Sequence, residues 1–300
     1  MLKRTILLVS PFDLNIRLEQ LVLVNRVTGE VNKVPVEDVG VIVLDHPELI
    51  YSQAVMQKLL ANNTAVIYCD EKHHPSGLLL PLCGHSVQNE RFRQQVLAKK
   101  PLQKQLWQQT VQAKIRNQAL MLHYYNLPHE PLLRFWKQVR SGDSTNLEAR
   151  AARHYWQHVF SPLPFRRDRF GDAPNNLLNY GYAILRAAVA RALVCSGLLP
   201  TLGIHHHNRY NAYCLADDIM EPYRPVIDNT VKQMIAKYPD SSILTKPMKA
   251  QLLQTLTHDV RVNGEVSPLL VALNKTTTSL VACFANERDE ISYPELCRTD

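Results

Sequence analysis

Along the first 70 residues, short runs of Val, Ile and Leu alternate with polar positions and are separated by turn residues. A period of two is what strands buried on one face show. It predicts strands over residues 5–10, 16–25, 31–34 (after a Thr28-Gly29 turn), 39–44 and 65–69. One helix, residues 52–62, is carried by Ala54, Met56, Leu59 and Leu60. Segment 73–84, which contains Pro and Gly, interrupts the pattern. From about Asn89 to Asn286 the apolar positions recur at helical spacing. Leu178, Tyr182, Leu185, Val189 and Leu193 fall at intervals of three and four, the stripe of a helix packed into a core. The expected fold class is therefore α+β, a small mainly β domain over residues 1–85 followed by a larger all-α domain over 86–300.

Composition narrows the class without naming a function. The 300 residues are 46% hydrophobic and 20% charged, ordinary for a globular chain with a sizeable core. Cys69, Cys83, Cys195, Cys214, Cys283 and Cys297 are scattered with no C-x-x-C pair, and no signal peptide opens the chain. Reduced thiols in the cytoplasm are the expectation, and a zinc finger is not. The most apolar helical stretch, 182–199, is interrupted by Arg186 and Arg191, which argues for a buried helix and no membrane role.

Charge adds a direction. Residues 1–85 hold 7 Lys/Arg against 9 Asp/Glu, whereas 86–300 hold 27 against 18, so a polyanion would meet the second part. Between 86 and 153 there are 12 basic and 4 acidic residues interleaved with Trp107, Tyr124, Tyr125, Phe135 and Trp136. Cations neutralise phosphates and aromatics stack on bases, though solvated helix faces over an aromatic core give the same pattern. No P-loop, G-x-G-x-x-G or G-x-S-x-G occurs, which weighs against triphosphate, dinucleotide and α/β-hydrolase chemistry.

The chemistry-bearing residues are few. Glu148 sits in Thr145-x-x-Glu148, a capping-box pattern in which it would merely satisfy helix N-terminal donors. Of His205, His206 and His207, three in a row, at most two can face one point. Asp218 and Glu221 lie three apart and share a face if helical, with Asp217 on a neighbouring track; an acidic helix start gives the same spacing. Two or three carboxylates with one imidazole suit Mg²⁺ or Mn²⁺ and leave positions open for phosphate oxygens.

Three ordered blocks change the picture: 146–156 (NLEARAARHYW), 165–186 (FRRDRFGDAPNNLLNYGYAILR) and 202–225 (LGIHHHNRYNAYCLADDIMEPYRP). Together they resemble the CRISPR-associated integrase and endonuclease that inserts new spacers during adaptation. The eight residues 206–213, HHNRYNAY, resemble its type II branch. The resemblance implies Glu148, His205 and Glu221 as catalytic metal ligands for Mg²⁺ or Mn²⁺, with Asp218 auxiliary. It makes Arg150, Arg153, Arg166, Arg167, Asn176, Tyr180 and Arg224 candidates for holding DNA. It also implies a homodimer formed through the β domain, a complex with the small ferredoxin-like adaptation subunit, and double-stranded prespacer and repeat DNA as substrates. The type II effector nuclease is a further partner it allows. The implied reaction is attack of a prespacer 3′-OH on a phosphodiester at the repeat boundary. Two alternatives stand beside it: a metal-dependent nuclease of branched or single-stranded DNA that does not join ends, and a non-catalytic nucleic-acid scaffold.

Overall fold

The structure, a computed structural model, describes residues 3–238 and 240–297. Strand β1 (Arg4–Leu8) is followed by the meander β2 (Phe12–Arg17), β3 (Gln20–Asn25) and β4 (Val31–Pro35). Then come β5 (Val39–Leu44), the two-residue β6 (Ile50–Tyr51), α1 (Gln53–Ala61), β7 (Ala65–Cys69) and β8 (Pro75–Leu79). They form two four-stranded sheets, ordered β1-β5-β7-β8 and β4-β3-β2-β6. In the first, β1, β5 and β7 run parallel and β8 closes the edge antiparallel.

Strand β5, VGVIVL, is buried at every position, as a parallel strand covered on both faces must be. Its alternate side chains serve two cores. Val41 and Val43, with Ala65 and Ile67, face the helices, while Ile42, Leu44 and Val66 face the core made with Leu14, Leu21 and Leu23 of the meander. The strand expected over 16–25 is a hairpin: Arg17 pairs with Gln20 across Leu18 and Glu19, both at positive φ (47° and 61°). Neither residue type favours the left-handed region, so no local signal marks the turn. Strand β8, in the expected break, begins with proline, which an edge strand accepts.

The helical part runs α2 (Gln88–Leu97), α3 (Lys100–Tyr124), α4 (Glu130–Gln138), α5 (Leu147–His158), α6 (Asn175–Cys195), α7 (Cys214–Met220), α8 (Arg224–Lys237), α9 (Lys246–Gln254) and α10 (Leu269–Phe284). The all-α expectation for 86–300 is amended by a small sheet, β10-β9-β11, built from β9 (Asp259–Val262), β10 (Glu265–Pro268) and β11 (Glu295–Leu296). Val260 and Val262 point inward and Arg261 outward, a period of two over only four residues. Helix α6 is long and apolar enough to span a membrane by composition, yet 78% of its apolar window is buried inside the fold. Leu178, Tyr182, Leu185, Val189 and Leu193 are all buried, so it is a core helix. Helix α3, 25 residues long, packs against α4, α5 and α8 and carries the centre of the site described next.

Candidate active site

Glu148 enters from the first turn of α5, and the expected capping box does not form. Asn146 is the N-cap residue in left-handed geometry, and no side chain of the cap itself bonds the helix. Asp143 does that job from the preceding turn: its carboxylate accepts the N–H groups of Leu147 and Glu148 at 2.8 and 2.9 Å. Glu148 is thereby released from capping, and its Oε1 lies 2.6 Å from the Lys114 ammonium on α3. Ala151, one turn on, is fully buried and lets α5 lie close to its neighbours.

Glu221 opens the short 3₁₀ turn Glu221–Tyr223 between α7 and α8. Asn117 of α3 pins this turn, donating to the Pro222 carbonyl at 2.7 Å and to the Pro294 carbonyl at 2.9 Å. Glu221 Oε2 lies 2.7 Å from the same Lys114 ammonium, and Oε1 lies 2.9 Å from Arg224. Two carboxylates from distant segments thus flank one lysine whose side chain is only 11% exposed. Burial pulls the Lys114 ammonium down, but the charges of Glu221 and Glu148 outweigh it and leave its pKa raised. Burial likewise pushes the Glu221 carboxyl up, and Arg224 with Lys114 outweighs it to hold it below its ordinary value. Arg224 rests its guanidinium 4.9 Å over the Tyr182 ring, with Arg167 on the same ring at 5.6 Å. Beneath them the buried Asp228 accepts the hydroxyls of Tyr182 and Tyr155.

The three histidines separate. His205 stacks on Trp107 of α3, ring centroids 4.0 Å apart and planes 2° from parallel. Burial lowers its pKa, against the opposing pull of Asp218, so the neutral imidazole is favoured. The Glu148 charge also reaches it. His206 turns to Asp218 through Nδ1, and that hydrogen bond raises its pKa. His207 is exposed.

Asp218 sits on α7 with no exposure, and its carboxylate is turned to the histidine loop. Its Oδ2 accepts the N–H groups of Ile204 and His205 at 2.7 and 3.0 Å, and its Oδ1 that of His206 at 3.2 Å. The carboxylate that helical spacing paired with Glu221 thus clamps the histidine loop. Gly203 lets the loop close over it: a Cβ there would lie 2.3 Å from the His206 carbonyl oxygen and 2.9 Å from Asp218 Oδ2.

The other predicted residues scatter. Arg150, Arg153 and Arg166 are exposed, Arg150 over the Phe135 ring at 4.8 Å. Arg167 is tied to the side chains of Asn175 and Asn179 at 2.9 and 2.7 Å. Asn176 donates to the carbonyls of Ser241 and Ser242, and Tyr180 is wholly buried under Lys249. Sequence reasoning missed Lys114, Asn117 and Asp143, and it named Trp107 only among the aromatics that could stack on bases, not as the partner of His205. For Lys114 a signal existed, since it lies on the buried stripe Trp107, Val111, Gln118 and Met121 of α3, where a lone cation asks for a partner.

Glu221 Oε2 is a buried acceptor that no donor approaches in hydrogen-bond geometry, Lys114 being near but misaligned. Two carboxylates and a neutral imidazole are the donor set of a hard-to-borderline divalent cation. Among the described residues no three His, Cys, Asp or Glu side chains are already gathered as a metal cage. The donor chemistry fits, with a lysine holding the two carboxylates.

The family model "CRISPR associated protein Cas1" matches residues 7–242. The chain belongs to the Cas1 family. The CRISPR-associated endonuclease Cas1 of Neisseria meningitidis serogroup C is 34% identical over 296 residues, covering 98% of this chain and 96% of that protein. Among solved structures, a casposase bound to integration product superposes with a TM-score of 0.77 at 20% identity, over 96% of this chain and 92% of that one. A Cas1 protein from Thermotoga maritima gives 0.74 at 16% identity, over 95% and 98%. At such identities the two structures establish the fold, a β-sheet region followed by a mostly helical one. Endonuclease and integrase chemistry belongs to the family as a whole.

Proposed function

We propose that this Cas1 chain is a metal-dependent DNA integrase that joins the 3′-OH ends of short DNA fragments to a phosphodiester at a CRISPR repeat. The observation that carries the reading is the convergence of Glu148 and Glu221 on one buried ammonium of α3, with His205 stacked on Trp107 of the same helix and within reach of the Glu148 charge. Glu148, Glu221 and His205 would hold Mg²⁺ or Mn²⁺, which when bound polarises the phosphodiester and activates the attacking hydroxyl.

The rest is done by the chain itself. Asp143 and Asn117 fix the two carboxylates, Trp107 fixes the imidazole plane, and Arg224 keeps Glu221 ionised. The exposed Arg150, Arg153 and Arg166 offer cations to the DNA backbone. Tyr180 and Asn176 keep internal roles and are left out of this DNA contact set, while Asp218 acts as the clamp of the histidine loop. Partners in the proposal are double-stranded prespacer and repeat DNA, a second copy docked through the β part over residues 1–85, and the small adaptation subunit. The catalytic unit is then residues 86–300.

The test is integration of a short duplex into a supercoiled plasmid carrying a repeat, with the partner subunit, Mn²⁺ or Mg²⁺, and an EDTA control. Joined product that requires the metal and the 3′-OH, and disappears in Glu148→Ala and in His205→Ala, is expected. Cleavage without joining would replace the integrase by a nuclease. Undiminished joining in both variants would move the active site elsewhere.

A further inference from the structure

The Lys114 ammonium lies 2.6 Å from Glu148 Oε1 and 2.7 Å from Glu221 Oε2, while Arg224 takes the other oxygen of Glu221. Two negative and two positive side chains therefore balance in a buried space, Glu221 being only 5% exposed. A divalent cation added to this group would leave two positive charges in excess, which a low-dielectric site does not accept. The excess falls as the Lys114 ammonium leaves the carboxylates and anionic groups enter. Lysine is the residue for such a move, being a point charge on a flexible four-carbon stem, whereas Arg224 is fixed by its stacking on Tyr182.

We infer that Lys114 is a built-in competitor for the metal site, a cation that holds Glu148 and Glu221 together and must be displaced before a divalent ion can use them. The inference rests on the metal-dependent reading above and gives a role of its own to the ammonium on which the two carboxylates converge. It gives Lys114 a second station. Released from the carboxylates, its ammonium is drawn to a phosphate oxygen of bound DNA, whose backbone charges offset the added cation. Metal loading and DNA binding are then coupled through one side chain, and the protein holds the ion weakly until DNA is in place. Lys114 is thus a positioning residue for the carboxylates and a gate on the ion.

The experiment is Mn²⁺ binding to the full chain without DNA, by titration calorimetry and by the Mn²⁺-induced shift of the thermal transition. The proteins are the parent, Lys114→Met, Lys114→Gln and Glu221→Gln. Removing the competing charge is expected to tighten Mn²⁺ binding at least about tenfold in both lysine variants. It should also enlarge their metal-induced thermal shift while lowering the transition temperature without metal. Lys114→Gln, which keeps one donor for the carboxylates, serves if the methionine variant does not fold. Unchanged or weaker Mn²⁺ binding in the folded lysine variants, with Glu221→Gln binding still less, would overturn the competitor role and leave the metal site standing. Binding by Glu221→Gln equal to the parent, or no saturable binding in any protein, would instead overturn the metal site and this inference with it.

Discussion

Replacing Asp218 by alanine separates two roles that helical spacing leaves undecided, ligand and loop clamp. The carboxylate has no exposure and accepts three backbone N–H groups, from Ile204, His205 and His206, as well as the His206 ring. Only the Ile204 N–H belongs to a buried residue, and leaving it unpaired costs about 1–3 kcal/mol. The His205 and His206 N–H groups are nearer solvent and regain water, so each loses about 0.5–1.5 kcal/mol. The His206 ring is 42% exposed, and its ion pair adds little. Loss of about 2–6 kcal/mol is expected for Asp218→Ala, a large share of the margin of an ordinary fold. Urea denaturation followed by far-UV circular dichroism measures it, with Asp218→Asn as the isosteric control that retains one acceptor. A loss under about 1 kcal/mol, together with abolished Mn²⁺ binding, would refute the clamp and make Asp218 a direct ligand.

Two further substitutions probe the surroundings. Gly203→Ala places a methyl group against the His206 carbonyl, which cannot withdraw without opening the clamp, so about 1–3 kcal/mol of stability should be lost in thermal unfolding; an unchanged transition would show that the loop has slack. Burial raises the Asp228 carboxyl from its ordinary 3.8 to about 6, despite two tyrosine donors. The folded state therefore holds this proton more tightly than the unfolded chain, and the group's contribution is full below pH about 4 and lost as pH rises through about 6. Asp228→Asn should gain stability relative to the parent by up to about 3 kcal/mol between those pH values, and parallel stability–pH curves would rule this out.

The sequence by itself determined what depends on local period and composition. Strands β5 and β7 lie where alternation put them, α6 carries the predicted stripe, and the basic excess falls in the helical part. The Asn263-Gly264 dipeptide, both residues at positive φ, was a legible hairpin signal that the surrounding helical period outweighed. The Leu18-Glu19 turn was illegible, because its left-handed geometry is imposed by strand pairing on residues with no preference for it. Glu148, the histidine loop and Glu221 were readable as chemistry because their residue types are few and their spacing tight. Their division of labour was not. Asp218 and Glu221 share a helical path yet face different partners, and Glu148 looks like its own helix cap until Asp143 takes that role. These outcomes depend on where α3 brings Lys114, Trp107 and Asn117. That is a matter of packing between segments far apart in the chain, and no local pattern encodes it.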